Sequence, residues 1–324
     1  MNKLKFNSSF FNRKNKIIIK KDNNYDTAVI KFSDKLIITK NENDREIMRD
    51  KIKNFLKVMN EECESFDNTK LLKNFKKTLF DLSLVENRSD FNGNVSFNYL
   101  DKNITFTIDN FDTVYHELMH LSTIDKNNDL TGFKQSYWRN FRGRGLNEGY
   151  TQLLTERYFN ENIGLSYNIL VFFLNILENI IGKNNMEKYY FNVSLNLLIN
   201  ELEKYEEKEN ILNFIDDFDL LLNHDITTTE NPQKEQVIYF QNIVDGICDF
   251  LLSCLQKKIE NLLYCELDSN KIKELNNLCS INLPEQIKIF YTSMVIPIKL
   301  FNKDKINEIN NLINNDSFTK LKKI

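Results

Sequence analysis

The chain is poor in the residues that punctuate or cross-link a fold: its 324 residues include three Pro, eight Gly, five Cys, three His and one Trp. The cysteines (Cys63, Cys248, Cys254, Cys265 and Cys279) are odd in number and form no Cys-x-x-Cys pair. That excludes a fully paired disulfide framework and a thiolate zinc cluster. Reduced core thiols in a cytoplasmic protein are the expectation. All three prolines (Pro232, Pro284, Pro297) fall in the last third, and no internal repeat or long linker is visible. Neither charge dominates, with 43 Lys and Arg against 46 Asp and Glu and a net charge of −3. Nothing here offers the basic footprint that nucleic acid or an anionic membrane would require. Long apolar runs are missing too. The most apolar stretch, Ile163–Ile181, contains Asn168, Asn175 and Glu178, which suits a buried helix rather than a membrane span. Early lysines in Met1–Phe6 are followed by the mostly polar Asn7–Asn15 rather than by the apolar segment of a secretory signal.

What the chain does have is an ordinary globular composition, 41% apolar and 27% charged. Lys16–Lys20 and Thr27–Thr39 are rich in Ile and Val and read as strands. Asn43–Phe66 and Thr69–Leu82 have helical spacing. Val95–Tyr99 and Ile104–Ile108 alternate apolar with polar residues, and Leu100–Asn103 supplies a hairpin turn between them. Asn110 or Asp112 is positioned to cap a helix over Thr113–Ile124. A second helix is predicted from about Asn147 to Phe159, and from Leu165 onward nearly everything reads as helix, including an amphipathic segment over Glu235–Leu263. The expected class is α+β and predominantly helical: a small mixed N-terminal sheet with an edge hairpin, then a two-helix centre, then a helical C-terminal half. The corresponding regions are 1–110, 111–182 and 183–324. Six of the eight glycines lie between Gly132 and Gly182, with Gly143, Gly145 and Gly149 crowded together, which marks the centre as a place of close backbone approach.

Chemistry concentrates at the same place. His116-Glu117-Leu118-Met119-His120 is an H-E-x-x-H pattern in a chain with only three histidines. On a helix the two imidazoles are offset by about 40° and Glu117 by about 100° from His116, so all three share a flank. Leu118 points away, toward a core that Val114 and Leu121 can share. Two metal ligands beside a base is the geometry of a zinc site, and a catalytic zinc needs a third protein ligand and an open position.

Downstream, Gly145-Leu146-Asn147-Glu148-Gly149-Tyr150-Thr151 completes a resemblance to the gluzincin metallopeptidases. In that family H-E-x-x-H on one helix is joined by a Glu from a later helix, often preceded by Asn. The resemblance covers about Val95–Phe159. It implies Zn2+ held by His116, His120 and Glu148, Glu117 as general base, and a peptide or protein substrate laid along the hairpin edge. The sequence departs from the family four residues after Glu148. There a carboxylate often accepts the free N–H of a zinc-bound His, and this chain has Gln152; Asn147 or Glu156 are alternative supports. For the donor that completes the oxyanion site, Tyr137, Arg142 and Arg144 lie in the connecting loop, and His224, beside Asp225, is the remaining histidine. Tyr150 faces away from Glu148 on its helix and reads as core, as does the apolar pattern over Leu165–Ile181. Lys320, Lys322 and Lys323 read as a solvated tail. A regulatory protease specific for one protein, and a zinc-stabilised binding module without catalysis, remain alternatives to a general peptidase.

Overall fold

Met48, Ile52, Phe55, Leu56 and Met59 recur at the helical period and are buried, which is why Glu42–Glu62 folds as helix α1 with one face turned inward. The computed structural model of the protein describes residues 42–75, 78–79, 93–98, 103–108, 111–125, 130–137, 140–161, 167–224, 232–264 and 268–280. Within them the chain is predominantly helical. Helix α2 (Asn68–Phe75) starts at an Asp67 side chain that accepts from the Thr69 backbone N–H at 2.9 Å. It is described to Phe75, short of the expected end at Leu82. Beyond it Thr78–Leu79 (β1) pair instead with a neighbouring strand, so inter-strand bonds replace the helical ones.

Of the N-terminal sheet suggested by the sequence, the described residues contain three short strands: β1, β2 (Gly93–Asn98) and β3 (Asn103–Ile108). Their order is β1-β3-β2. β3 runs parallel to β1 with Thr78 opposite Ile104, and antiparallel to β2 with Gly93 opposite Ile108. The strands expected at Lys16–Lys20 and Thr27–Thr39, and most of the turn Leu100–Asn103, lie outside the described residues.

A 3-10 turn (Phe111–Thr113) leads into α3 (Val114–Thr123). Asp112 therefore sits inside the turn and Thr113 takes the cap position without a capping side-chain bond, a correction to the cap expected at Asp112; the other candidate, Asn110, lies outside the described residues. The hairpin β4 (Gln135–Tyr137) and β5 (Asn140–Arg142) connects to α4 (Arg144–Phe159), which begins three residues before the predicted Asn147. Then follow α5 (Asn168–Ile181), α6 (Lys183–Phe191), α7 (Leu195–Leu202), α8 (Lys208–Asn223), α9 (Lys234–Leu263) and α10 (Ser269–Ser280). α4 is the hub, packed against α3 on one side and against α5 and α8 on others. One continuous cluster of buried apolar side chains runs from Met48 in α1 to Leu278 in α10.

The crowded glycines explain how α4 fits. A Cβ at Gly145 would lie 2.0 Å from the Phe218 backbone oxygen of α8, and one at Gly149 would lie 2.6 Å from Leu170 Cβ of α5. Only a residue without a side chain lets those backbones approach so closely. α8 also supplies the missing cap: Asp219 accepts from the Gly143 and Gly145 backbone N–H groups at 2.8 and 2.7 Å.

A buried polar cluster ties the far face of α4 to α5 and α6. Arg157 donates to Glu178 and, at 3.1 Å, to Glu187 Oε1. The hydroxyls of Tyr150 and Tyr158 donate to Glu178 and Glu187 at 2.6 and 2.7 Å. Glu178, which argued from sequence against a membrane span, is thus a buried, paired residue in a helix whose Asn168 and Asn175 face out. α9 is long and apolar enough to cross a membrane by length and composition, with mean hydropathy 1.3. Its apolar stripe (Phe240, Val244, Ile247, Leu251, Leu255) is buried where it packs on α5 and α8.

Candidate metal centre

Every residue of α3 is buried. Val114, Leu118 and Leu121 are fully enclosed in the core as the helical wheel requires, while His116, Glu117 and His120 occupy the flank that meets α4. The C-terminal end of α3 is held from α2. Lys70 Nζ donates to Thr123 O at 3.1 Å, and Asn74 Nδ2 donates to Leu121 O at 2.7 Å. A cation and an amide on the terminal carbonyls satisfy groups the helix leaves open and complement its dipole. Burial, the largest influence, brings the Lys70 ammonium down to about 8 against the opposing pull of Asp125 and Asp67.

α4 brings Glu148 to the two imidazoles. His116 Nε2 and His120 Nε2 are 3.1 Å apart, and Glu148 Oε2 is 3.4 Å from the first and 3.1 Å from the second. These three residues could hold a metal ion. A tetrahedral zinc with bonds of about 2.0–2.2 Å would space its ligand atoms about 3.3–3.5 Å apart, and the observed triangle is within a few tenths of an ångström of that. Among the described residues, the ion pairs of Glu148 are with the two histidines alone. The Glu148 side chain is 26% exposed, whereas both imidazoles are buried.

The tautomer of His116 suits a metal ligand. Gln152 Nε2 donates to Glu156 Oε1 at 3.0 Å and to Glu161 O at 3.3 Å, which fixes the amide and leaves its oxygen 3.2 Å from His116 Nδ1. His116 therefore carries its proton on Nδ1 and turns the Nε2 lone pair inward. Behind His120, Thr151 donates to Asn147 O at 2.7 Å and so accepts from the Tyr190 hydroxyl at 2.6 Å, and its oxygen also lies 3.4 Å from His120 Nδ1. Asn147 accepts from the Phe133 backbone N–H at 3.2 Å, so its NH2 end lies 3.3 Å from His120 Nδ1 and 3.5 Å from Glu148 Oε1. That donor opposes an Nδ1 proton on His120. One of its two amide hydrogens serves Glu148, the stronger acceptor, and the other lies within reach of His120 Nδ1. The inward Nε2 lone pair of His116, the Glu148 carboxylate and His120 Nε2 converge at these distances, an arrangement that a cation would stabilise.

Glu117 is buried, and its Oε2 has no hydrogen-bond partner among the described residues. Burial pushes its carboxyl up to about 8; His116 opposes this and Glu148 adds to it. Glu148 itself is disfavoured as a carboxylate by burial, yet His120 and His116 hold it well below the ordinary range. Two adjacent carboxyls pushed apart in this way can divide the work of ligand and base.

The structure brings together His116, Glu117, His120, Glu148, Asn147, Gln152 and, through Gln152, Glu156. It does not bring His224. That residue ends α8, is exposed and sets its ring edge-on to Tyr239 at 5.2 Å. Arg142 is also committed elsewhere: it grips Asp216 with both ends of its guanidinium, at 2.7 and 2.9 Å. Arg144 is exposed at the start of α4. Tyr150 points to Glu178, and the Tyr137 side chain lies outside the described residues. Sequence reasoning missed Tyr167. Its ring stacks on His116 with centroids 5.6 Å apart and planes 9° apart. Burial first, and then Glu148 and Glu117, hold its phenol protonated. Tyr167 was absorbed into the apolar pattern of Leu165–Ile181, and its place just before the α5 repeat was the only signal. No family model, curated protein or solved structure matches the chain.

Proposed function

We propose that this protein is a zinc-dependent peptidase whose metal is held by His116, His120 and Glu148 and whose general base is Glu117. The carrying observation is the triangle of Nε2, Nε2 and Oε2 atoms at 3.1–3.4 Å with a buried, partnerless carboxylate oxygen one residue from a ligand. Two imidazoles and one carboxylate suit zinc, although other divalent metals accept the same set. When bound, zinc supplies Lewis acidity and brings the pKa of water down to about 7.

The remaining work belongs to the chain. Glu117 takes the proton of the attacking water and returns it to the leaving amine. Its raised affinity for a proton, before a dication lowers it, suits a base that must also act as an acid. Tyr167, protonated and stacked on His116, is the candidate donor to the oxygen that becomes negative. β2 ends the described sheet and packs against α3; an extended peptide adding to that strand would run past the metal. The ligands, the base and the strand edge are what the gluzincin resemblance of H-E-x-x-H with Asn147-Glu148 implies, whereas Tyr167 is not among its expectations.

Unbiased peptide profiling of wild type and Glu117→Gln, with zinc quantified in both, tests the reading. Cleavage by wild type should fall at least about 10²-fold in the variant, the usual worth of a general base, with zinc content unchanged. A wild-type protein that holds zinc and cleaves no peptide would instead favour the binding module.

A further inference from the structure

We infer that Glu156 is a positioning residue for the metal centre, acting on His116 through the side-chain amide of Gln152. The inference rests on the metal-binding half of the proposed function and not on hydrolysis. Residues 148, 152 and 156 are successive i, i+4 neighbours along α4, so ligand, amide and carboxylate stand in one row on one helix face. Gln152 is fully buried, and its two amide hydrogens go to Glu156 Oε1 at 3.0 Å and Glu161 O at 3.3 Å. Neither acceptor can donate, so only one orientation of the amide satisfies the pair. That orientation aims the Gln152 oxygen at His116 Nδ1, 3.2 Å away.

Hydrogen bonds in series polarise one another. A carboxylate pulling on the Gln152 NH2 makes the amide oxygen a stronger acceptor, which fixes the His116 ring and raises the basicity of Nε2. A carboxylate placed directly on a ligating imidazole does the same work. Here the charge stands one residue further back, with a neutral group touching the ring. This keeps a second negative charge from sitting against Glu117 and Glu148 in the same buried site. His120 has no such row, because its Nδ1 neighbours are Thr151 and Asn147.

A double-mutant cycle read by zinc affinity decides it, using chelator competition on the purified full chain with Glu156→Gln, Gln152→Met and the pair, each checked for folding by thermal melt. Glu156→Gln should weaken zinc about tenfold, the low end for groups that support a metal ligand. In the Gln152→Met background the same change should have no further effect, because the path to His116 is already cut. A merely structural Glu156 would weaken both backgrounds equally; that result, or an affinity within about twofold of wild type, overturns the inference while leaving the metal site intact. A wild type that binds no zinc removes the metal reading along with it.

Discussion

Helix α4 carries two buried polar clusters on different faces, and they are built on opposite terms. Around Arg157 the accounts close: one guanidinium lies between Glu178 and Glu187, and Tyr150, Tyr158, Lys183 and the Cys63 thiol supply the remaining donors. Around Glu148 they do not. Two imidazole nitrogens and a carboxylate oxygen converge with no lysine or arginine ion-paired to Glu148 among the described residues. A cluster that satisfies itself can only hold the fold together, since any added ligand would have to displace a bond already made. One whose lone pairs converge is stabilised by what it binds. The same helix is therefore clamped at one face and available for chemistry at the other.

The comparison can be broken most forcefully at its charged centres. Arg157→Met leaves buried Glu178 without its cation and Glu187 with only Lys183 at 3.7 Å, and should destabilise the chelated protein by about 3–5 kcal/mol. Glu148→Ala should leave chelated stability at pH 8 within about 1 kcal/mol, yet abolish stoichiometric zinc. Denaturant titration with chelator and metal analysis without it read the two effects, and equal stability losses would erase the distinction. Acidity sharpens the contrast next. Glu117 is held near 8 against an ordinary 4.5, so below 4.5 folded and unfolded chains are both protonated there. As pH rises from 4.5 through 8 the unfolded chain ionises first, and the native state loses stability. In chelator, Glu117→Gln should match wild type at pH 4 and exceed it by about 1–3 kcal/mol at pH 9, the cost of an unsatisfied buried group. A gap that does not grow with pH would contradict the assignment. The smallest effect is expected behind His120. Thr151→Val removes a hydroxyl rather than a relayed carboxylate, so zinc affinity should fall by less than about tenfold, the least a well-supported ligand loses.

Much of the centre was legible because helical geometry is local. Four-residue spacing alone puts His116 above His120, and the inward face of α3 follows from Val114, Leu118 and Leu121. Asn147-Glu148 could be singled out only by resemblance, since its approach to α3 depends on Gly145 and Gly149 letting α8 and α5 come close. Side-chain commitments were not legible at all. Arg142 looked available for substrate, but Asp216, which occupies it, is 74 positions away. Tyr167 looked like core because stacking on a histidine leaves no trace in an apolar repeat. The helix predicted to Leu82 failed for the same reason: Thr78 answers to Ile104 across a sheet, and pairing between distant strands outweighs local propensity.

X-ray absorption at the zinc edge of the purified chain addresses the convergence of His116, His120 and Glu148 most directly. One zinc per chain is expected, with two imidazoles and oxygen at about 2.0–2.2 Å and no sulfur, and with the signal lost in Glu148→Ala. A sulfur shell, or a metal site unchanged by that substitution, would contradict the account.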